Sequence, residues 1–226
     1  MKGIVEFFRR LFGASPTASA ATPEKPAPVV SRPAEKVIPN RYEMAQVLRS
    51  MINGSIPTRV GPYYQIKETN GNNRSKAIDM IIKAQGGDLG ESYCQYGQQE
   101  MLDELCRYYD ISRKKVRIPG GGSTRSVWDN TPQQYKRAAP DLMRWVTWQH
   151  GTSWRGHVGM CFSMSKDGSF QTFEFNTSLV SSGGVVRDGE GASWCDRNTK
   201  GSGDMHILGY VDIYAAIVEA MMDKHA

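Results

Sequence analysis

The sequence contains few cysteines, and their spacing does not indicate a metal site or a crosslinked scaffold. The four cysteines, at 94, 106, 161 and 195, form no CxxC pair and no regular framework, which argues against both zinc binding and structural disulfides. Cys94 and Cys106 fall on one predicted helix and are separated by roughly 18 Å at 1.5 Å per residue, too far for a disulfide bond. We therefore expect reduced thiols.

Basic blocks, internal repeats and a signal-peptide core are also lacking. The net charge of +5 is not concentrated in a basic block with interleaved aromatic residues, so no specific nucleic-acid partner is expected. Residues 1–13 are too short to span a membrane, and their charges interrupt any apolar core of a cleavable signal peptide. Export by a cleaved signal is therefore not predicted.

The first 40 residues differ in composition from the rest of the chain. Residues 1–13 have the pattern of an amphipathic helix, which would contact a membrane surface or a carrier particle; a frayed tail is the alternative. Residues 14–40 carry six of the eleven prolines together with six alanines, which predicts a disordered linker. We expect one folded domain over residues 41–226.

Hydrophobic periodicity within this domain changes from helical to strand-like along the chain. Helices are predicted at 42–51, at 77–85, after Cys94 and at 214–222. Strands are predicted at 142–148, 157–164, 170–175, 185–187, 193–196 and 205–211. A run of helices followed by a run of strands predicts an α+β domain with a mostly antiparallel sheet.

Cys94 lies where a loop turns into a helix. Ser92 and Gln95 form a capping-box pattern, which predicts Ser92 as the N-cap and Cys94 as the second helical residue. The unpaired N–H groups there favour a thiolate, the nucleophilic form of cysteine. Gly97 leaves room for another element to approach. The alternative is that Cys94 is an inert buried side chain, as free cysteines often are.

His157 opens a predicted strand between two glycines, and the next strand carries polar residues. If residues 166–169 form the hairpin turn, His157, Glu174 and Asn176 share one face of the sheet, with Asn176 diagonal to His157. A turn of odd length would place them on opposite faces unless a bulge compensated. The alternative is a hairpin that is simply amphipathic, with His157 in a structural role.

These residues together supply the groups needed for thiol acyl transfer. Cys94 would be the nucleophile and His157 the base, with Glu174 or Asn176 orienting the imidazole. The three groups come from separated segments of the chain, which favours a catalytic interpretation over coincidence.

The sequence resembles the CHAP (cysteine, histidine-dependent amidohydrolase/peptidase) domains of bacterial wall hydrolases and phage endolysins over roughly residues 68–211. The motifs that carry the resemblance are NGNNR at 70–74, GESYC at 90–94, PDLMRW at 140–145, GHVG at 156–159 and FEFNTS at 173–178. The resemblance implies a papain-like fold, with helices packed on the sheet, Cys94 at a helix N-terminus and His157 on a strand. It also implies that Glu174 and Asn176 orient His157.

The resemblance implies a peptidoglycan hydrolase, either an amidase or an endopeptidase, acting on the cell wall as a phage lysin, a virion-associated enzyme or a delivered toxin. Some relatives carry an acidic calcium loop, but no DxDxxG pattern occurs here, so we predict neither a metal nor a cofactor. Two alternatives stay open: a cysteine peptidase or isopeptidase acting on proteins, and an inactive wall-binding or virion structural module. The sequence does not indicate an oligomeric state.

Overall fold

Four of the five described helices precede the strands in the computed structural model, which describes residues 38–69, 71–177, 190–201 and 204–223. The helices are α1 (Arg41–Ile52), α2 (Lys76–Ala84), α3 (Cys94–Tyr108), α4 (Thr124–Asn130) and α5 (Ile213–Met222). The strands are β1 (Lys136–Arg137), β2 (Arg144–His150), β3 (Gly156–Met164), β4 (Ser169–Thr177), β5 (Gly191–Asn198) and β6 (Met205–Asp212). Short 3₁₀ helices lie at Tyr63–Gln65, Arg113–Lys115 and Gln133–Tyr135.

The six described strands form one sheet in the order β1-β6-β2-β3-β4-β5, and every described pairing between them is antiparallel. The predicted α+β class with an antiparallel sheet is confirmed. The strand expected at 185–187, residues 1–13 and most of the linker expected at 14–40 lie outside the described residues. No helix in the described ranges is both long and apolar enough to cross a bilayer.

The main core lies between the helices and one face of the sheet. Apolar residues of α1, α2, α3 and α5 pack there against alternate residues of the central strands, among them Val158, Met160, Phe173 and Phe175. The opposite face carries a smaller cluster that includes Trp148, Cys161 and Phe170. Because side chains alternate along a strand, His157 and Glu174 belong to the face with the smaller cluster.

The first helix is fixed at its start by a capping box. The Asn40 side chain accepts a hydrogen bond from the Glu43 N–H, and the Glu43 carboxylate accepts one from the Asn40 N–H. Met44, Leu48 and Ile52 of α1 are buried at helical spacing, which seats the helix on the core.

The hairpin between β3 and β4 differs from the expected one in two ways that offset each other. Met164 pairs with Phe170, so five residues (165–169) connect the strands instead of the predicted four. A register shift between Cys161 and Ser163 then moves the pairing by one residue, and Gly159 lies opposite Glu174. The extra turn residue and the bulge each shift the pairing by one residue, and each shift exchanges the two faces of β4. Because the two shifts cancel, His157 and Glu174 lie on the same face, as predicted.

Candidate active site

Cys94 is the first residue of α3, and its N-cap is Tyr93. The predicted Ser92 cap with Gln95 is therefore wrong, since α3 has no side-chain cap hydrogen bond. Tyr93 is fully buried in the main core, so packing of its ring fixes where the helix begins, while Ser92 lines a cleft. The thiol still lies beside N–H groups of the first turn, where the helix dipole favours a negative charge.

Gly97 lets the sheet approach α3 within one turn of Cys94. A Cβ atom at this position would collide with the ring of Phe175 on β4. The Phe175 ring occupies the space that a side chain at position 97 would fill. This agrees with the expectation that Gly97 leaves room for another element. This contact places the start of the helix against the strand that also carries Glu174.

His157 and Glu174 form a buried hydrogen-bonded pair. The imidazole Nε2 lies 2.8 Å from Glu174 Oε2, and neither side chain is exposed to solvent. Gly159 lies beside the carboxylate, where any side chain would collide with Glu174. The glycine thus allows the carboxylate to reach the imidazole diagonally across the hairpin.

Glu174 has two further partners that no pattern in the sequence predicts. Arg197 on β5 donates to both carboxylate oxygens, from Nε to Oε1 at 2.8 Å and from Nη2 to Oε2 at 2.7 Å. Thr172 donates its hydroxyl to Oε1 at 2.5 Å. A carboxylate with these donors and a neighbouring imidazole is held in one orientation.

The charges at the site favour an ionised pair. Burial works against ionisation of Glu174, but hydrogen bonding to Arg197 and the charge of His157 outweigh it, so the pKa of Glu174 is lowered. Burial likewise lowers the pKa of His157, but the charge of Glu174 and hydrogen bonding to Cys94 and Glu174 together raise it to about 9. Glu174 is therefore a hydrogen-bond acceptor only, and Nε2 carries the proton that it accepts.

The imidazole of His157 also interacts electrostatically with the Cys94 thiol. His157 Nδ1 has no hydrogen-bond partner within the described residues, while the imidazole and the Cys94 thiol influence each other by hydrogen bonding and charge. Burial raises the pKa of Cys94, but His157, the Thr124 hydroxyl and the Gln95 N–H together lower it below the usual 9.0. The Thr124 Oγ1 lies 3.9 Å from Sγ.

The other three cysteines lie in environments that disfavour a thiolate. Burial is the main cause in each case, and it raises the pKa of Cys106 to about 11 and the pKa values of Cys161 and Cys195 to about 12. All four thiols are free. Cys94 is therefore the thiol that ionises most readily.

Asn176 is fully buried near the same end of β4, but it does not bond to the imidazole ring. Of the two ring nitrogens, Nε2 bonds to Glu174 and Nδ1 has no hydrogen-bond partner among the described residues. Asn176 has a left-handed backbone (φ 54°), a conformation that asparagine tolerates better than most residues. Its backbone lies beside the phenol of Tyr93, the residue that precedes Cys94.

A cleft of about 480 Å³ is formed by residues that are close along the chain to several of these groups. It is lined by Gly90, Glu91, Ser92, Tyr96, Gly122, Ser123 and Trp154. Ser92, Ser123 and Trp154 each lie within three residues of Cys94, Thr124 or His157 along the chain, although those three residues do not themselves line the cleft. Trp154 is 69% exposed and presents an aromatic surface to solvent at this edge.

The fold and the site together describe an α+β domain with a buried cysteine and a buried, hydrogen-bonded histidine and glutamate pair. No family model, curated protein or solved structure matches the chain.

Proposed function

We propose that this domain is a cysteine hydrolase that cleaves amide bonds through a thioester intermediate. The observation that carries the proposal is the buried chain of hydrogen bonds from Arg197 through Glu174 to His157, together with the effect of His157 on Cys94, whose pKa it lowers. Thiol acyl transfer needs a nucleophile, a base and a group that orients the base, and Cys94, His157 and Glu174 would fill these roles.

In the proposed mechanism, His157 holds the proton that the thiol has lost. The Cys94 thiolate attacks the carbonyl carbon of the substrate, and the imidazolium then gives its Nδ1 proton to the departing amine. Neutral His157 then removes a proton from a water molecule as that water attacks the thioester. The bond to Sγ breaks, and the Cys94 thiolate and the carboxylic acid product are released. Glu174 keeps Nε2 protonated throughout, so that Nδ1 is the nitrogen that exchanges the proton.

The proposed substrate is peptidoglycan, cut either between sugar and stem peptide or within the peptide. The resemblance of the motifs around Cys94, His157 and Glu174 to CHAP domains supports this choice. A cleft of about 480 Å³ lies within the usual range for ligand sites and accommodates a short peptide segment. The same catalytic groups would serve a protein substrate, which makes a cysteine peptidase or isopeptidase the second candidate.

The test is mass spectrometry of purified peptidoglycan after digestion, with Cys94→Ser protein as the control and a denatured protein as a parallel substrate. New amino-acid termini would indicate an endopeptidase, and lactyl-linked sugars freed of peptide would indicate an amidase. Cleavage of the denatured protein alone would favour the peptidase alternative. Binding to peptidoglycan without any Cys94-dependent product would contradict the enzyme proposal and favour a structural module.

A further inference from the structure

Thr124 is the first residue of α4, and its hydroxyl lies 3.9 Å from the Cys94 Sγ. The residue is 5% exposed, so its hydroxyl is shielded from most of the solvent. Thr124 packs against Gly156 of the sheet: a Cβ at Gly156 would lie 2.6 Å from the Trp148 carbonyl oxygen, 3.3 Å from the Thr124 Cβ and 3.4 Å from the Thr124 methyl carbon. The glycine before His157 thus leaves room for both the Trp148 carbonyl and the start of α4, which carries the hydroxyl.

Attack by a thiolate moves negative charge away from sulfur. As the bond from Sγ to the carbonyl carbon forms, the π electron pair of the carbonyl moves to its oxygen. The resulting tetrahedral oxyanion collapses when that pair returns and the bond to the amine breaks, with the proton coming from His157. Donors next to Sγ stabilise this oxyanion most when they are already in place before the reaction.

One such donor is the N–H of Cys94, because the first N–H groups of a helix have no partner within it. We propose that the Thr124 hydroxyl is the second oxyanion donor of this site. In the resting protein the hydroxyl faces the sulfur from a different helix. Once the sulfur is bonded to the substrate, the charge resides on the adjacent oxygen, and rotation of the hydroxyl hydrogen redirects the hydrogen bond to it.

This inference rests on the proposed thiol acyl transfer but not on the identity of the natural substrate. It can therefore be tested with two small probes that react with the thiol by different routes. Acylation of Cys94 by p-nitrophenyl acetate passes through an oxyanion, whereas alkylation by iodoacetamide does not. Both rates would be measured on the full chain, together with peptidoglycan hydrolysis, for wild type, Thr124→Val, Thr124→Ser and Ser126→Ala.

Thr124→Val replaces the hydroxyl with a methyl group of similar size, and we expect it to slow acylation and peptidoglycan hydrolysis by about 10- to 10³-fold. Alkylation should fall much less than acylation, because it loses only the contribution of Thr124 to the lowered pKa of Cys94. Thr124→Ser should recover most of the acylation rate. Ser126→Ala removes an exposed hydroxyl from the same helix and should change neither rate.

Equal acylation rates in wild type and Thr124→Val would overturn the inference. An equal fall in acylation and alkylation would also overturn it, because the substitution would then act on the thiolate and not on the oxyanion. If Thr124→Val slows acylation selectively while peptidoglycan stays intact, the oxyanion donor stands and the proposed substrate is wrong. If wild-type Cys94 reacts with neither probe, both proposals fail.

Discussion

Arg197 and Glu174 are joined by two parallel hydrogen bonds on a buried face of the sheet, with side chains 5% and 0% exposed. Glu174 Oε2 is shared, because it also lies 2.8 Å from His157 Nε2. The arginine therefore neutralises and orients the same carboxylate that orients the proposed base. Fixing the guanidinium fixes the imidazole indirectly.

Replacing Arg197 by methionine should destabilise the fold and reduce turnover. Removing one partner of a buried ion pair leaves an uncompensated charge, and we expect a loss of about 3–5 kcal/mol in the free energy of unfolding, measured by chemical denaturation. Arg197→Lys keeps the charge but cannot donate two parallel hydrogen bonds from one planar group. Its loss in the free energy of unfolding should therefore be intermediate. Arg74 also pairs with a carboxylate through two hydrogen bonds, but its side chain is 40% exposed. The Arg74→Met variant should lose far less stability, and a comparable loss in both variants would contradict this account.

Cys94 should be the thiol that reacts first near neutral pH. Its pKa is lowered, whereas burial raises the pKa values of the other three, to about 11 for Cys106. Limited alkylation at pH 7 followed by peptide mass spectrometry should modify Cys94 before the others. Cys94→Ser should abolish hydrolysis with an unchanged circular dichroism spectrum, and Cys106→Ser should not. Equal loss in the two variants would refute the assignment of the nucleophile.

Hydrolysis should depend on pH through the ionised pair. Activity needs the thiolate, so it should fall on the acid side as pH drops through the pKa of Cys94. It also needs the imidazolium as proton donor, so it should fall as pH rises through about 9, the raised pKa of His157. Glu174→Gln removes the charge that raises this pKa and should move the alkaline limb of kcat/KM to lower pH. An unmoved alkaline limb in that variant would exclude Glu174 as the cause.

The two predicted orienting residues should differ in their effects. Glu174→Gln and Glu174→Ala alter the contact with His157 Nε2 and should lower kcat more than they change KM, by on the order of 10 to 10⁴ for alanine. Asn176→Ala should have a smaller effect, because Asn176 does not bond to the ring. Gln171 on the opposite face is the control and should tolerate alanine. Steady-state kinetics on a soluble wall fragment would decide, and full activity in Glu174→Ala would disprove the role of the carboxylate.

The N-terminal boundary of the folded domain can be tested by two deletions. Removing residues 1–37 keeps Asn40, whose side chain caps α1, and should leave hydrolysis of soluble fragments unchanged. Removing residues 1–40 also deletes this cap and should cost about 0.5–2 kcal/mol of stability. Association with membranes or a carrier particle should fall in both proteins. An unfolded product from the shorter deletion would show that the tail belongs to the core.

The sequence contained enough information to place Cys94, His157 and Glu174 on their elements. The helix after Cys94 and the strands around His157 and Glu174 have clear periodicity, and a single hairpin relates the latter two. The turn length was wrong, however, and the shared face resulted from a bulge between Cys161 and Ser163 that no local pattern indicated. Bulges depend on how a strand packs against its neighbours, which a single sequence does not specify.

Arg197 and Thr124 were missed for a similar reason. Both reach the site from elements whose placement depends on tertiary packing, and neither belongs to a recognised motif. Arg197 did leave a usable signal: it follows Cys195 at a spacing of two, so alternation places it on a buried face, where a charged residue requires a partner. Extending the predicted strand by one residue would have pointed to an inward arginine.

The contact between Gly97 and Phe175 sets the distance between the helix that carries the thiol and the strand that carries Glu174. It is a contact between uncharged groups, so it does not titrate and is not screened by salt. At an extreme pH that does not unfold the protein, activity would then be lost only because the reacting groups change their protonation state. The positions of these groups would not change. Such inactivation should reverse as fast as the buffer is changed.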